Sequence, residues 1–310
     1  MASAKKYISR NCEICSSLEY REVHRILEYR IVECMKCHFV FLDPVPGRTP
    51  VEIYDEDYFR GKIAVENTFN VEGWDFFEPE NFRNFLTQCR ARLDRVETFT
   101  KGGTLLDIGC GIGLFLHEAK SRGWHVHGID ASPFAVSYAR QELGLETVQQ
   151  MDVDNLVYDS GTMDAITLHH VIEHVINPRR LLQSASRIIK KGGILVIETP
   201  DISSKRAKRA GLNWKYLRIP EHLNYFSAAT LNRLLEQTGF GVLQREYAVE
   251  STGMMNALLG GEEKARSLYD QWSRCGAFRW AVRSTRRINE YISGKLVGEF
   301  DILTVTARKR

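Results

Sequence analysis

The chain of 310 residues can hold one large domain or two smaller ones, and its 44% hydrophobic and 26% charged content is ordinary for a soluble globular protein. A net charge of +3 is too small to argue for nucleic acid, and no apolar run approaches the roughly 20 residues that span a bilayer. The opening "MASAKKYISRNCEICSS" lacks an apolar h-region, so no secretory leader and a cytoplasmic location are expected.

Four of the seven cysteines fall as Cys12-x-x-Cys15 and Cys34-x-x-Cys37, with eighteen residues between the pairs. A CxxC turn points two sulfurs at one ion, and an intervening hairpin lets the second pair complete a tetrahedron. This spacing predicts a structural zinc ribbon over residues 1–50, with no ligand position left open for catalysis. Pro44, Pro46, Gly47 and Pro50 mark a linker. Residues 51–100 form a cap rich in aromatic and acidic residues ("YDEDYF", "GWDFFEPENF") that turns helical from Asn81 to about Phe99.

Strands and helices alternate from there through residues 101–310. "TLLDIG" reads as a buried strand, "LFLHEAKSRG" as a helix, and "HVHGID" as the next strand. Ser132 and Pro133 open a helix that Gly144 stops. "ETVQQM" and "MDAITLHH" follow as strands, Asn177-Pro178 opens a helix ending at Gly192-Gly193, and "ILVIET" is another strand. Ser227 to Gly239 is helical and leads into "FGVLQREY", and "DILTVTARK" is the last strand. The alternation predicts an α/β fold with a parallel sheet covered on both faces. A helical insertion at about 251–296 interrupts it, with basic and aromatic residues interleaved. Packing on the core is its expected role, with a peripheral membrane contact or a dimer contact as alternatives.

"LLDIGCGIG" places Gly109, Gly111 and Gly113 between a strand and a helix, where bare backbone lets a cofactor approach. The dinucleotide fingerprint requires glycine at 114, and this chain has Leu114. A smaller, cationic ligand fits instead. Asp107 at the strand end suits an ammonium or sulfonium centre, Asp130 suits two ribose hydroxyls, and Asp152 can accept from an adenine amino group.

Together "LLDIGCGIG", "GIDAS", "MDVDNL", "MDAITLHHVIEHVINP", "RIIKKGGILVIETP" and "LNRLLEQTGF" resemble class I S-adenosylmethionine-dependent methyltransferases over about residues 85–250. The resemblance implies a Rossmann-like seven-stranded sheet with its last strand antiparallel. It also implies a cofactor pocket lined by Asp107, Gly109, Cys110, Gly111, Gly113, Asp130, Ala131, Asp152, Val153 and His169.

"HHVIEHV" contains His170-x-x-Glu173-His174, the letters of an H-x-x-E-H zinc peptidase. Pro178 ends any helix there within two turns and no downstream carboxylate completes the site, so peptidase chemistry is set aside. The stretch is similar to the E-x-x-E-H segment of ubiquinone-biosynthesis O-methyltransferases and small-RNA 2′-O-methyltransferases, which binds a divalent metal. His170 stands where those families have glutamate, so a second metal on His170, Glu173 and His174 is left open beside a hydrogen-bonded structural role. "RIPEHLNYFS" places Glu221-His222 after the fifth strand. Nucleotide-sugar C-methyltransferases have a similar E-H pair with histidine as base, behind a four-cysteine module similar to "VECMKCHFVFLDPVP".

The resemblance therefore implies methyl transfer to a small molecule, a nucleotide-linked sugar or a polar intermediate, with His222 as base and Glu221, Glu173 and His174 assisting. Two rivals stand beside it. The 170–174 cluster and the basic run "SSKRAKRAGLNWKYLR" allow an RNA 2′-O-methyltransferase. A non-catalytic adaptor would keep the fold and dock a partner through the zinc ribbon.

Overall fold

The computed structural model describes residues 7–46, 54–62, 75–248 and 301–310. The insertion expected at about 251–296 lies outside the described residues.

The N-terminal unit is built from β1 (Tyr7–Ile8), β2 (Tyr20–Ile26), β3 (Tyr29–Cys34), β4 (Val40–Asp43) and β5 (Val45–Pro46). β1 pairs antiparallel with β5, while β2, β3 and β4 form an antiparallel meander. A short helix α1 (Glu56–Phe59) follows, N-capped by Asp55, whose side chain accepts from the Tyr58 amide. Helix α2 (Pro79–Phe99) has Glu78 at its N-cap accepting from two amides and Pro79 in its first turn, where the missing N–H costs nothing.

The alternating region comprises β6 (Thr104–Ile108), α3 (Leu114–Ser121), β7 (His125–Asp130), α4 (Pro133–Gln141), β8 (Val148–Gln150), β9 (Met163–His169), α5 (Pro178–Ile188) and β10 (Ile189–Pro200). After these come α6 (Lys205–Ala210), β11 (Asn224–Tyr225), α7 (Ala228–Gln237), β12 (Phe240–Ala248) and β13 (Ile302–Lys309). Seven strands join in the order β12-β13-β10-β9-β6-β7-β8. β13 runs antiparallel to both of its neighbours, as expected for the last strand, and the pairs from β10 to β8 are parallel.

The chain leaves β6 toward β7 and β8 on one side and returns to β9 and β10 on the other. The crevice above β6 and β9 is therefore the switch point at which such sheets bind ligands. On one face, β-strand residues such as Leu106, Ile166 and Ile197 pack on α5 and α7. On the other face, Leu105, Ala165 and Val196 pack on α2, α3 and α4.

Two local features depart from the expected pattern. α5 ends at Ile188 rather than at Gly192-Gly193, and β10 begins at once, with irregular pairing to β9 between Ile189 and Ile194. Ile188 and Ile189 are both fully buried, and extending the chain there buries both while Lys190 reaches the Asp164 carboxylate at 2.8 Å. The second feature is β11, for which no periodicity was visible. It adds to β4 and produces a four-stranded sheet, β11-β4-β3-β2, that ties the N-terminal unit to the parallel-sheet region. Ile14, Val32, Phe39 and Phe41 share one apolar cluster with Leu106, Ile108 and Phe226.

Candidate active site

The glycine turn follows directly from β6. The Gly109 and Cys110 amides donate to the Ile129 carbonyl at 2.8 and 3.0 Å, which clips the turn to β7. Gly109, Gly111 and Gly113 all have positive φ, at 71°, 52° and 87°. Their reasons differ. A Cβ on Gly109 would lie 2.5 Å from Val171 Cγ2, and one on Gly113 would lie 2.8 Å from Leu145 Cδ1. At Gly111 the nearest atom is a Phe59 ring carbon at 3.8 Å, an ordinary contact, so this glycine alone of the three has room for a Cβ.

Asp130 closes the turn from the other side. Its two carboxylate oxygens accept from the Gly111 amide at 2.8 Å and the Ser132 amide at 2.9 Å. Burial raises its pKa despite these bonds. Oriented this way, the carboxylate keeps lone pairs for a diol. Ala131 is half-buried beside it, Cys110 is buried, and burial pushes the Cys110 thiol well up. Asp152 is exposed and Val153 half-buried, at the open end beyond β8.

Asp107 behaves otherwise than expected for a residue that faces a cation directly. It is 3% exposed and accepts from the Thr167 hydroxyl at 2.6 Å, with His169 Nδ1 at 3.5 Å. His169 packs edge-on to Phe115 at 4.9 Å, and its buried Nε2 has no hydrogen-bond partner. Burial lowers its pKa, leaving it neutral. An orphaned imidazole nitrogen, an open Gly111 and a preset carboxylate fit a bound polar cofactor.

A second buried polar cluster lies where β9 and β10 end. Glu173 is 1% exposed, with one oxygen 3.2 Å from His170 Nδ1 and the other accepting from Thr199 Oγ1 at 2.9 Å. His174 Nδ1 lies 3.0 Å from the Glu221 carbonyl and 2.9 Å from the Tyr54 hydroxyl. His222 is 3% exposed and donates from Nδ1 to the Tyr216 carbonyl at 2.7 Å, which leaves Nε2 with its lone pair. The His174 and His222 rings meet edge-on at 4.7 Å. Burial lowers the pKa of both, that of His222 well below 6.5; His174 and Arg218 reinforce the effect at His222, whereas Glu173 and Glu221 oppose it at His174. Glu221 pairs with Arg218 at 3.1 Å.

His170 turns away from the grouping expected of it. Ligand atoms of Glu173, His174 and His222, rather than of His170, lie within 4.8 Å of one another. His170, with φ at 54°, instead sits between Glu173 and Glu198, its Nε2 3.4 Å from Glu198. Burial pulls its pKa down, but the two carboxylates outweigh that and hold it at about 10. Glu198 is also gripped by Arg92 at 2.5 Å.

Arg92, Glu198 and Tyr54 escaped the reading of the sequence. Arg92 lies on the buried Cys89–Leu93–Val96 stripe of α2, and Glu198 interrupts the apolar "ILVIETP". A charge on each of two buried faces was the available signal that they pair. The aromatics Phe76 and Phe77 pack on Phe59, Phe134 and Tyr138. The basic run forms α6, with Lys205, Arg206, Lys208 and Arg209 exposed.

In the N-terminal unit the four cysteine sulfurs lie within 4.8 Å of one another, with Cys12–Cys37 at 3.3 Å and Cys15–Cys34 at 3.5 Å. Sulfurs on a tetrahedral zinc stand roughly 3.8 Å apart, so the donor set fits. Burial resists ionisation at each of Cys12, Cys34 and Cys37. At Cys34 the amides of Lys36 and Cys37 help to overcome it and bring the thiol to about 7, whereas Cys37 is pushed up to about 11.

A family model described as a methyltransferase domain matches residues 81–245, more than half of the chain. The chain belongs to the class I S-adenosylmethionine-dependent methyltransferases. The ubiquinone biosynthesis O-methyltransferase of Alkalilimnicola ehrlichii is 32% identical over 183 residues, covering 56% of this chain and 71% of the relative. The protein of the same name from Xanthomonas oryzae pv. oryzae is 32% identical over 132 residues, covering 41% of this chain. The chain thus spans about half, 55%, of that relative's length. The crystal structure of a SAM-dependent methyltransferase from Archaeoglobus fulgidus has a TM-score of 0.52 at 24% identity, covering 76% of this chain and all of that one, and shows the shared fold. Among the described residues no helix is long and apolar enough to cross a membrane.

Proposed function

We propose that the protein methylates a small polar molecule, with His222 as the base that takes the acceptor's proton. The observation that carries this reading is the meeting of His174 and His222 at 4.7 Å beside Glu173, at the carboxyl edge next to the glycine turn. Bound S-adenosylmethionine would supply an electrophilic methyl on a sulfonium. Gly111, Asp130 and His169 Nε2 would hold it, Asp130 on the ribose, with Asp152 toward the adenine. Asp107 would act through His169.

On the acceptor side, the Tyr216 carbonyl holds His222 as the Nδ1–H tautomer, so Nε2 is free to accept a proton. Its depressed pKa keeps it unprotonated at neutral pH. Tyr54, Tyr58 and Phe59 would exclude water and hold the acceptor in line, an effect that can be worth ~7–11 kcal/mol of barrier. The name of the curated relatives favours an oxygen acceptor. The exposed cations of α6 favour an acceptor that bears a phosphate, such as a nucleotide-linked sugar. Four thiolates would hold a structural zinc in a unit spanning residues 1–50, with 51–100 as cap and 101–310 as the catalytic region.

A second reading adds a divalent metal to the same site. Glu173, His174 and His222 form a two-histidine, one-carboxylate set, and a metal there would activate the acceptor hydroxyl in place of a free base. His222→Ala should lower turnover of labelled cofactor in a metabolite extract by at least 100-fold while calorimetric cofactor affinity stays within twofold. Undiminished turnover would remove His222 from both readings. Activity that survives chelation at the 173–174–222 set would remove the metal.

A further inference from the structure

The Glu221-His222 pair is held from outside the methyltransferase region. Leu223, the next residue, offers its carbonyl to two donors of the N-terminal unit: the Leu42 amide at 2.9 Å and Arg10 Nη2 at 2.5 Å. Asn224 and Tyr225 then pair with Phe41 and Val40 as β11 on β4. On its other side the same segment is tied to the turn that bears Glu173 and His174. The Leu223 amide donates to the Glu173 carbonyl at 2.7 Å, and Asn224 Nδ2 donates to the carbonyls of Ile172 at 3.0 Å and Val175 at 2.7 Å. Arg10 bridges both, since its Nη1 donates to the Ile176 carbonyl at 3.0 Å. Arg10 is 9% exposed, and its backbone amide bonds to the fully buried Asp43, which also pairs with Arg30.

We propose that the four-cysteine unit is a positioning element of the active site: through Arg10 and β4 it sets the separation of His174 and His222, so that metal loading of the cysteines governs the acceptor site. The coupling is short in sequence and in space. Arg10 precedes the first ligand by two residues, and β3 ends on the third ligand, Cys34. The Phe39 carbonyl accepts from the Cys34 amide at 2.9 Å, closing the second knuckle, and Phe39 stacks on Phe41 at 5.6 Å and packs at a tilt against Phe226 at 5.1 Å. Phe41 is the partner of Asn224 in β11. Zinc removal would loosen a wall that the histidine loop leans on. Arg10 is a positioning residue: its guanidinium bonds to the Ile176 and Leu223 carbonyls and lies over the Phe41 ring at 5.1 Å.

The inference rests on reading His174 and His222 as the acceptor-side pair, and its test is independent of methyl transfer. Hydrogen exchange of the full chain is followed by mass spectrometry before and after removal of zinc with a chelator. Exchange is expected to rise at least tenfold in peptides covering 221–226 and 171–176 as well as 12–43, and to stay unchanged in 104–108 beneath the glycine turn. A rise confined to 12–43 would overturn the coupling. A uniform rise that includes 104–108 would also overturn it, because the ion would then hold the whole fold rather than this wall. Arg10→Met provides the second arm, with zinc retained by metal analysis and the imidazole nitrogens read by NMR. The His222 and His174 signals are expected to shift or broaden in Arg10→Met and to recover partly in Arg10→Lys, which restores one donor. Identical imidazole signals in Arg10→Met and the parent protein would refute the positioning role.

Discussion

Two glycines of one turn should fail in opposite ways when given a methyl group. At Gly109 alanine would enter the left-handed region at φ 71° with its Cβ 2.5 Å from Val171 Cγ2, about 1 Å inside ordinary contact. The left-handed backbone costs roughly 1–2 kcal/mol and overpacking a β-branched neighbour roughly 1–3 kcal/mol. The stiffer unfolded chain returns about 0.4–1 kcal/mol, leaving a net loss of roughly 1–5 kcal/mol. For a chain of this length that is a fall in Tm of roughly 2–8 °C. At Gly111 the φ of 52° lies close to the left-handed minimum, and a Cβ meets nothing nearer than 3.8 Å. Gly111→Ala should therefore cost about 1 kcal/mol or less. Its methyl would sit against the Phe59 ring, on the turn whose amide bonds to Asp130, and S-adenosylmethionine affinity should fall at least tenfold, whereas folded Gly109→Ala should bind nearly as the parent does. Scanning calorimetry and titration calorimetry on both variants decide the matter. Normal cofactor affinity in Gly111→Ala would refute the assignment of the open glycine, and an unchanged Tm in Gly109→Ala would refute the packing argument.

Arg92→Met should leave Glu198 only His170 at 3.4 Å and Arg95 at 3.8 Å as cationic partners and cost less in urea denaturation than the roughly 3–5 kcal/mol of a fully stranded charge, with much of the loss recovered by adding Glu198→Gln. No recovery in the double variant would mean that Arg92 matters for packing rather than charge. Stability should peak near pH 6.5. Burial depresses His169, His174 and His222, so the unfolded chain binds more protons below 6.5 and stability falls as the medium acidifies. His170 has the opposite sign: burial opposes its charge, its carboxylate partners prevail, and its contribution is complete below 6.5 and lost as pH rises toward about 10. A stability maximum above pH 9 in a denaturation series would reject the imidazolium at 170. Metal analysis should find one zinc per chain on the four cysteines, and its removal should lower the melting temperature of the N-terminal unit; a metal-free, equally stable protein would end the ribbon reading.

The parts of the site that were legible in the sequence are those whose chemistry and geometry are local. Gly109, Gly111 and Gly113 lie between a strand and a helix, and Asp130 ends the next strand, so chain order alone brings them to one crevice. Two CxxC pairs carry their own geometry in their spacing. Long-range pairing carries no such mark. His222 follows His174 by 48 positions, and their rings meet because Leu223 and Asn224 bond back to the 172–175 turn. The two-residue β11 is too short for any period of alternation, and its partner lies in a unit that reads as independent.

His170 shows how a motif can mislead on the same ground. H-x-x-E-H letters suggest three ligands around one ion, yet spacing sets only which side chains are near one another. Where each points depends on charges brought by other elements. Arg92 from α2 fixes Glu198 on β10, Glu198 draws the His170 ring away from the mouth, and the ring then holds Glu173 by its other nitrogen. His222, from a distant loop, is the residue whose ring comes within 4.8 Å of Glu173 and His174. If that chain of charges decides the orientation, removing its anchor should undo it: Glu198→Gln should free His170, lower the pKa of its imidazole toward 6.5 in an NMR titration, and leave zinc at the cysteines unchanged. A His170 that still titrates near 10 in Glu198→Gln would show that Glu173 alone holds the ring, and the account of why the motif reads wrongly would have to be given up.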